Sequence, residues 1–450
     1  MIPFVVAAYL LFLLLGSFRK PASLNATDDY LLAGRSLTLI PFVATMVTTS
    51  YGWILGIGEL YYTYGISAWL FLSLPYSLFG LFMAFFFSQK IREKKLHSVP
   101  ELFNLHYGKW SGKIASLAVL LAVSPAMYAL MTAQILQSVF ALPVWTCLLI
   151  ALIFSSVYLY RGGFALLAKK DTWKFLFMFG GFFIALVFLF DTYGIQPLQN
   201  LAPEKLSFNF SAHPLEIITW FLLAMLVFAD PGYHQRIYSS KSPKTARVGL
   251  LISVLCWTFF DFMAASVALY GLGLLPDLDG GNQVYPLLAN SILPQGVAAL
   301  FLLGLLATVM STLDSFLFLS AQTLVYDLFG RKKEAVKWMP IGLLAVSVLT
   351  FVLLLPYLDK SAVDFFFDFT PYLVCVLVMP TIGAFFPFIT LKPKQVLFQI
   401  GLSLFVCVAW NLEKPEVANW MNAVIPSLSV ALVFQLILTI WNKTKTGIQN

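Results

Sequence analysis

Residues Val297–Phe329 read VAALFLLGLLATVMSTLDSFLFLSAQTLVYDLF, an apolar run that carries a stripe of hydroxyl side chains. The hydroxyls recur at i, i+3, i+4 and i+7, so they share one face of a helix: Thr308, Ser311, Thr312 and Ser315. An apolar helix must turn such a face toward protein, because lipid offers no hydrogen-bond partners. Oxygen ligands without soft donors suit a hard cation, so the stripe predicts a buried monovalent cation site.

The stripe also allows a simpler interpretation. Serine and threonine in membrane helices often bond the carbonyl four residues back or join neighbouring helices. However, Asp314 lies at the edge of the stripe, and carboxylates inside a membrane are costly and usually functional. We therefore favour the cation site, and we expect Asp314 to add charge to it, to carry a proton or to bond a neighbouring helix.

Composition predicts an all-α polytopic membrane protein. Hydrophobic residues make up 60% of the 450 positions and charged residues only 11%, with a mean hydropathy of +0.85. Apolar runs of roughly 17 to 25 residues, the length that crosses a bilayer, number thirteen. They cover residues 2–17, 38–64, 67–88, 113–140, 142–160, 172–190, 215–237, 247–272, 295–328, 338–357, 365–389, 395–412 and 421–441.

The basic residues predict the orientation. If the amino terminus lies outside, all but three of the 28 lysines and arginines fall on the inner side, as the positive-inside rule requires. The exceptions are Lys205, Lys360 and Lys414. We therefore expect a multi-pass protein of the cell inner (plasma) membrane with a cytoplasmic carboxyl terminus. The net charge of +7 is assigned to anchoring loops and not to a nucleic-acid-binding face.

Cysteine and histidine placement argues against an enzyme. The four cysteines lie within predicted spans without metal-ligand spacing, and the four histidines lie in loops or at a span end. No nucleophile, base or metal constellation converges along the chain. We predict no catalytic residues, no organic cofactor and no obligate protein partner.

Two predicted spans are interrupted. The run Thr38–Tyr64 carries Gly52 near its middle, and glycine weakens a regular helix. The run Leu215–Ile237 carries Pro231 and Gly232, where the proline removes a helical hydrogen bond. Either break alone is what an ordinary kink would give. With the first run set aside they are spans one and six of ten, a pairing typical of an inverted-repeat transporter with its site at the midplane.

The predicted organisation is a single transmembrane transporter domain over residues 1–450. Residues 1–37 form an extra first helix and an inner loop, and residues 38–190 form the first repeat. Residues 215–390 form the second repeat, and residues 391–450 form two accessory helices and a short tail.

Six short motifs, in this order, resemble the sodium:solute symporter family, whose members take up proline, sugars, sialic acid, pantothenate and other small solutes. They are DDYLLAGRSL (28–37), GWILGIGELYYTYG (52–65), SVPELFNLHYG (98–108), RGGFALLAKKD (161–171), QRIYSSKS (235–242) and ATVMSTLDS (307–315). The resemblance implies a LeuT-like five-plus-five inverted repeat with one extra helix before it and two after it. It also implies that inward movement of Na+, the coupling ion, drives solute uptake by alternating access.

The resemblance further implies a set of sodium ligands. By position they are the hydroxyls of Ser311 and Thr312, an oxygen of Thr308, and the backbone carbonyls of Val47 and Ser50. About five neutral oxygens form a cage suited to an ion that must also be released.

Asp171 matches a family aspartate that is associated with ion exit or with a second sodium. Here Lys170 and Lys174 stand where the family commonly has threonine and glutamine, so an ion pair at the inner surface is the alternative. Asp171 and Asp314 are therefore predicted as an ion path or a second ion site.

For the solute, the sequence points to the two breaks, where freed backbone groups face a central cavity. Thr48, Thr49 and Trp53 flank the first break, and Asp230 lies at the second. Asp230 could accept hydrogen bonds from solute hydroxyls or from an ammonium group, or it could cap the half-helix that follows. Neutral amino acids, sugars, monocarboxylates and sialic acids all remain possible solutes.

Two alternatives stay open. A proton-coupled symporter is chemically possible, because Asp171, Asp230, Asp261 and Asp314 lie in or near predicted spans. A transporter-like membrane sensor would share the membrane part, but it usually needs a signalling domain, and no loop is long enough to bury a core.

Overall fold

The computed structural model describes residues 1–15, 27–122, 124–208, 213–276, 278, 281–358, 362–413 and 415–447. The predicted positions of Lys360 and Lys414, and part of the loop after the first helix, lie outside these ranges. Regular helices dominate the described residues. The principal ones are Ile2–Leu15, Leu39–Ser50, Ile54–Tyr64, Leu74–Phe82, Val99–Tyr107, Lys109–Ala122, Ala126–Phe140, Val144–Tyr193, Pro214–Ala224, Pro231–Ser239, Pro243–Leu274, Gln295–Gln322, Ala335–Leu354, Ala362–Leu373, Met379–Phe385, Pro393–Glu413 and Val424–Gly447.

Within the described residues, nine helices are long and apolar enough to cross a membrane, or up to eleven if each of two bent pairs counts as one span. One bent pair is the first interrupted run, where Leu39–Ser50 and the helix after it meet at 56°. The shorter apolar helix Ile2–Leu15 precedes them. The multi-spanning character expected from composition is therefore present, whereas the count of thirteen spans and the repeat boundaries stay predictions.

The hydroxyl-bearing helix Gln295–Gln322 lies at the centre of the bundle. In its most apolar window 83% of the residues are buried, the largest share for any of the nine helices. It packs closely along Val144–Tyr193, a stretch of two helices that meet at a kink at Gly163. A Cβ placed on Gly181 would lie 2.7 Å from the carbonyl oxygen of Leu300 and 3.1 Å from the Cα of Gly304. Paired small residues of this kind let the backbones of membrane helices approach.

Polar contacts join several segments at the predicted inner side. Arg35 bonds Asp28 at 2.8 Å, and His97 contacts both Asp28 and Glu101. Lys332, which follows the hydroxyl-bearing helix, bonds Glu101 at 2.8 Å. These contacts tie the segment before the first broken span to the loop helix Val99–Tyr107 and to the end of the central helix.

Backbone hydrogen bonds also join the two broken spans at this side. Leu37 donates its N–H to the carbonyl of Ser239 at 3.0 Å, and Lys241 donates to the carbonyl of Leu37 at 2.8 Å. The start of the first broken span is thereby held against the end of the second, and the protein is closed on this face.

We expect Glu101→Gln to loosen the contacts at the predicted inner side, because it removes the charge that bonds Lys332 and contacts His97. Burial raises the pKa of Glu101, but hydrogen bonds from His97 and Lys332 outweigh it and lower the pKa from an ordinary value of 4.5 to about 2. A lowered pKa stabilises the fold above the ordinary value, and that contribution is lost as the pH falls from about 4.5 toward 2. The carboxylate therefore stays charged from pH 5 to 8.

The measurement is the alkylation rate of a cysteine placed at the fully buried Ser239, in a background without the four native cysteines. The rate, compared at a single pH because alkylation requires the thiolate, is expected to rise severalfold in Glu101→Gln relative to the same background with Glu101 intact. An unchanged rate in the variant would show that other contacts hold this face closed.

Candidate ion and solute site

The first break brings the backbone of one span against the hydroxyl stripe. Helix Leu39–Ser50 ends at the break, and Ile54–Tyr64 resumes after Tyr51, Gly52 and Trp53. A Cβ on Gly52 would lie 2.2 Å from Oγ1 of Thr312, a distance that real Cβ atoms do not show. Glycine is therefore needed at the break because of close approach as well as flexibility.

Gly52→Ala is expected to lower the melting temperature of the purified protein and to abolish transport, because the added methyl group must push the first span away from Thr312. Gly180→Ala is the matched control, since no atom lies within 4 Å of the added Cβ and alanine favours the helix. Thermal unfolding in detergent and uptake into proteoliposomes measure both effects. Equal behaviour of the two variants would contradict the close approach.

The second break follows from a proline and a capping aspartate. Helix Pro214–Ala224 gives way to a tighter turn, and helix Pro231–Ser239 begins after Asp230. The Asp230 carboxylate accepts a hydrogen bond from the N–H of Tyr233 at 2.9 Å. Asp230 therefore caps the half-helix, which was the alternative considered for it, and it also lines a cavity described below.

All four hydroxyls of the stripe are fully buried. Thr312 donates to the carbonyl of Thr49 at 2.9 Å, and the Ser311 hydroxyl lies 2.8 Å from that of Thr48. Thr308 and Ser315 bond carbonyls of their own helix, as serine and threonine in membrane helices often do. The first broken span and the stripe therefore meet at Ser311 and Thr312, and Thr312 contacts the carbonyls of Thr48 and Thr49. The carbonyls of Val47 and Ser50 stay predicted sodium ligands.

A buried charge cluster adjoins these hydroxyls. Asp171 lies 2.7 Å from the Ser311 hydroxyl, 3.5 Å from the ammonium of Lys174 and 4.0 Å from the guanidinium of Arg236. Lys174 also bonds Asp314 at 2.6 Å. Each of the four charged side chains is fully buried, so the pair at Asp171 is not the surface ion pair considered as an alternative. Two acids and two bases give the cluster no net charge.

Arg236 connects the two broken spans. It lies on Pro231–Ser239 and donates to the Thr45 carbonyl at 3.1 Å and to the Ser315 hydroxyl at 2.8 Å. It also donates to the Thr49 hydroxyl. The guanidinium therefore binds the first broken span, the second and the stripe at one point. The sequence missed this role, because its position near a span end grouped Arg236 with the anchoring residues.

Two adjoining cavities lie between the broken spans and their neighbours. Ser50, Trp53, Tyr76 and Tyr233 line both. The first cavity, which we call the Asp261 cavity, is further lined by Tyr51, Ile57, Leu72, Ser73, Ser77, Trp257 and Asp261. The second, which we call the Asp230 cavity, is further lined by Thr49, Met127, Tyr128, Leu226, Val227, Asp230 and Phe316.

Of the predicted solute residues, Trp53 lines both cavities, and Thr49 and Asp230 line one. Thr48 bonds the Ala44 carbonyl and faces Ser311, and it is not among the described residues lining either cavity. Val47 is fully buried, and the side chain of Ser50 bonds its own helix and the hydroxyl of Tyr233.

An all-helical membrane bundle in which two broken spans meet a buried polar site is the architecture of a secondary transporter. Comparison with known sequences gives the same class. The profile of the sodium:solute symporter family matches residues 30–380, and the chain belongs to that family. The membership predicted from the motifs is thus confirmed, and family members are transporters and not enzymes.

Several characterised relatives lie at moderate identity. The sodium/pantothenate symporter of Escherichia coli is 25% identical over 339 residues, which cover 70% of this chain and 68% of the relative. The counterpart from Haemophilus influenzae is 27% identical over 55% of this chain, and the match spans about half (54%) of the relative. The human high affinity choline transporter 1 is 24% identical over 77% of this chain and 65% of the relative.

Solved structures confirm the fold. A Na+-coupled sialic acid symporter in a substrate-bound outward-open state superposes with a TM-score of 0.78 at 16% identity, covering 98% of both chains. A closed conformation of Mhp1, a nucleobase-cation-symport-1 family transporter, superposes with a TM-score of 0.60 at 13% identity. The superposition covers 94% of this chain and 95% of the other. The predicted all-α LeuT-like architecture is therefore confirmed.

Proposed function

We propose that this protein couples inward sodium movement to the uptake of a small organic solute by alternating access. The observation that carries the proposal is the contact between Thr312 and the Thr49 carbonyl, where the stripe meets the first break. Sodium would bind there to Ser311, Thr312, Thr308 and the carbonyls of Val47 and Ser50. An ion held between two elements that move apart during transport couples its own binding to their relative position.

The neighbouring charges support a weakly held ion. The cluster of Asp171, Lys174, Asp314 and Arg236 carries no net charge. A sodium ion beside it therefore gains little from fixed charge and depends on neutral oxygens, which favours release on the inner side. Asp171 lies close enough to the Ser311 hydroxyl to accept the ion on its way out, as the proposed ion path requires.

Sodium entry can supply the driving force. Each charge that moves inward gains about 2.3 kcal/mol per 100 mV of membrane potential. That energy corresponds to more than tenfold accumulation of a solute, because about 1.4 kcal/mol is a factor of ten. The proposal places the protein in the plasma membrane with its carboxyl terminus in the cytoplasm.

Reconstituted protein provides the test. Proteoliposomes should accumulate solute only with an inward sodium gradient, and replacement of external sodium by potassium should abolish accumulation. Candidate solutes come first from the names of relatives, namely pantothenate, choline and proline. Binding of ²²Na+ to the purified protein is measured in parallel. Absence of both sodium binding and sodium-dependent uptake would refute the proposal.

Proton coupling is the second candidate. The observation in its favour is that Lys174 and Arg236 already supply cations to Asp171 and Asp314 in the region where sodium is proposed to bind. A proton-coupled protein would accumulate solute under an inward pH gradient in sodium-free medium. A sodium-coupled protein would not.

A further inference from the structure

The Asp261 cavity contains a carboxylate that has no basic partner in the described part of the chain. Asp261 is only 5% exposed, and it accepts a hydrogen bond from the Tyr51 hydroxyl at 2.8 Å. Among the described residues, the ion pairs do not include Asp261, and none of the side chains lining the two cavities is basic. A carboxylate at membrane depth is stabilised by a cation, so the cavity suits a positively charged guest.

The remaining wall of the cavity is aromatic. Trp53, Tyr76, Tyr233 and Trp257 all line it. The rings of Tyr233 and Trp257 are stacked, with centroids 5.7 Å apart and planes 20° apart, so each holds the other in place in the wall. Aromatic faces attract ammonium groups, and the attraction grows when water is excluded. The aromatic wall and the Asp261 carboxylate therefore both favour an ammonium group.

We propose that the solute is a small ammonium compound, held by Asp261 and the aromatic wall of this cavity. The inference rests on the proposed function, because it names the solute class of the same transport site. An anionic solute would face both Asp261 and Asp230 with no basic side chain in the described lining. A neutral solute would leave an ionised Asp261 without a counter-charge.

Matched pairs of compounds test the charge directly. Melting of the purified full chain in sodium buffer is measured with choline, glycine betaine and proline. Each is compared with a counterpart of similar shape without the ammonium: 3,3-dimethyl-1-butanol, 3,3-dimethylbutyrate and cyclopentanecarboxylate. We expect at least one ammonium compound to raise the melting temperature while its counterpart does not, because ligands of the folded form stabilise it. Equal shifts within every pair, or no shift with any ammonium compound, would overturn the inference.

Variants then assign the effect to the cavity. Asp261→Asn should weaken binding of the responding compound at least tenfold, whereas Asp191→Asn, which removes an exposed carboxylate elsewhere, should leave it unchanged. If Asp261→Asn does not fold, Trp257→Leu serves instead and should reduce the preference for the ammonium compound over its counterpart. Unchanged binding in the variant that folds would overturn the inference.

Sodium binding separates this inference from the proposed function. Binding of ²²Na+ is measured without any solute. If sodium binds but no ammonium preference appears, the solute class is wrong and sodium coupling stands. If the preference appears without sodium binding, the solute class stands and sodium coupling fails.

Discussion

Lys174→Met is expected to destabilise the protein by about 3–5 kcal/mol and to abolish uptake. Lys174 bonds Asp314 at 2.6 Å and lies 3.5 Å from Asp171, and all three side chains are fully buried. Removal of the ammonium takes away the cation that bonds Asp314 directly and leaves Asp171 facing Arg236 at 4.0 Å. Removing one partner of a buried ion pair is costly because the other charge stays buried without compensation.

The double variant Lys174→Met, Asp314→Asn is the decisive control. It removes one charge of each sign, so the cluster returns to zero net charge with Asp171 and Arg236 still facing each other. Most of the lost stability should be regained, and thermal unfolding of the wild type, both single variants and the double variant measures the coupling. A double variant less stable than either single variant would contradict the pairing.

Ser311→Ala, Thr312→Ala is expected to raise the sodium concentration needed for uptake roughly a hundredfold. Interactions between a polar group and a charge contribute at least about 1.5 kcal/mol each. Two of them amount to about 3 kcal/mol, which is about a factor of one hundred in affinity. The measurements are the sodium dependence of solute uptake and the binding of ²²Na+ to the purified variant.

Ser253→Ala controls for the loss of a buried hydroxyl. Ser253 is fully buried and bonds the Gly249 carbonyl, four residues back in its own helix, at 2.8 Å. It should leave the sodium dependence unchanged. If the Ser311→Ala, Thr312→Ala variant keeps the sodium dependence of the wild type, the proposed ligands are wrong even if transport is sodium-coupled.

The features that the sequence predicted come from patterns within single segments. The stripe at Thr308–Ser315 follows from helical periodicity alone, and the breaks at Gly52 and Pro231 follow from residues that interrupt a helix. Both kinds of signal are confined to one segment. Their meeting point could be expected only from the resemblance to a family, because spacing within a segment does not say which helices touch.

The features that the sequence missed depend on where distant segments meet. Lys174 and Arg236 were counted among basic residues on the inner side, because hydropathy marks where an apolar run ends but not where a helix becomes buried. The Asp261 cavity is lined by the first broken span, the helix around Tyr76, the second broken span and the helix that carries Trp257. Such a cavity leaves no pattern in any single stretch of sequence.

The backbone bonds of Leu37 to residues 239 and 241 constrain how the predicted inner face can open. Because these bonds join the beginning of one broken helix to the end of the other, the two half-helices on that side have two ways to move. They either move together as one rigid body, or the bonds must break first. Deuterium uptake at the amides of Leu37 and Lys241 distinguishes these routes: slow exchange throughout turnover indicates a shared swing, and a burst of labelling indicates a latch that is released in every cycle.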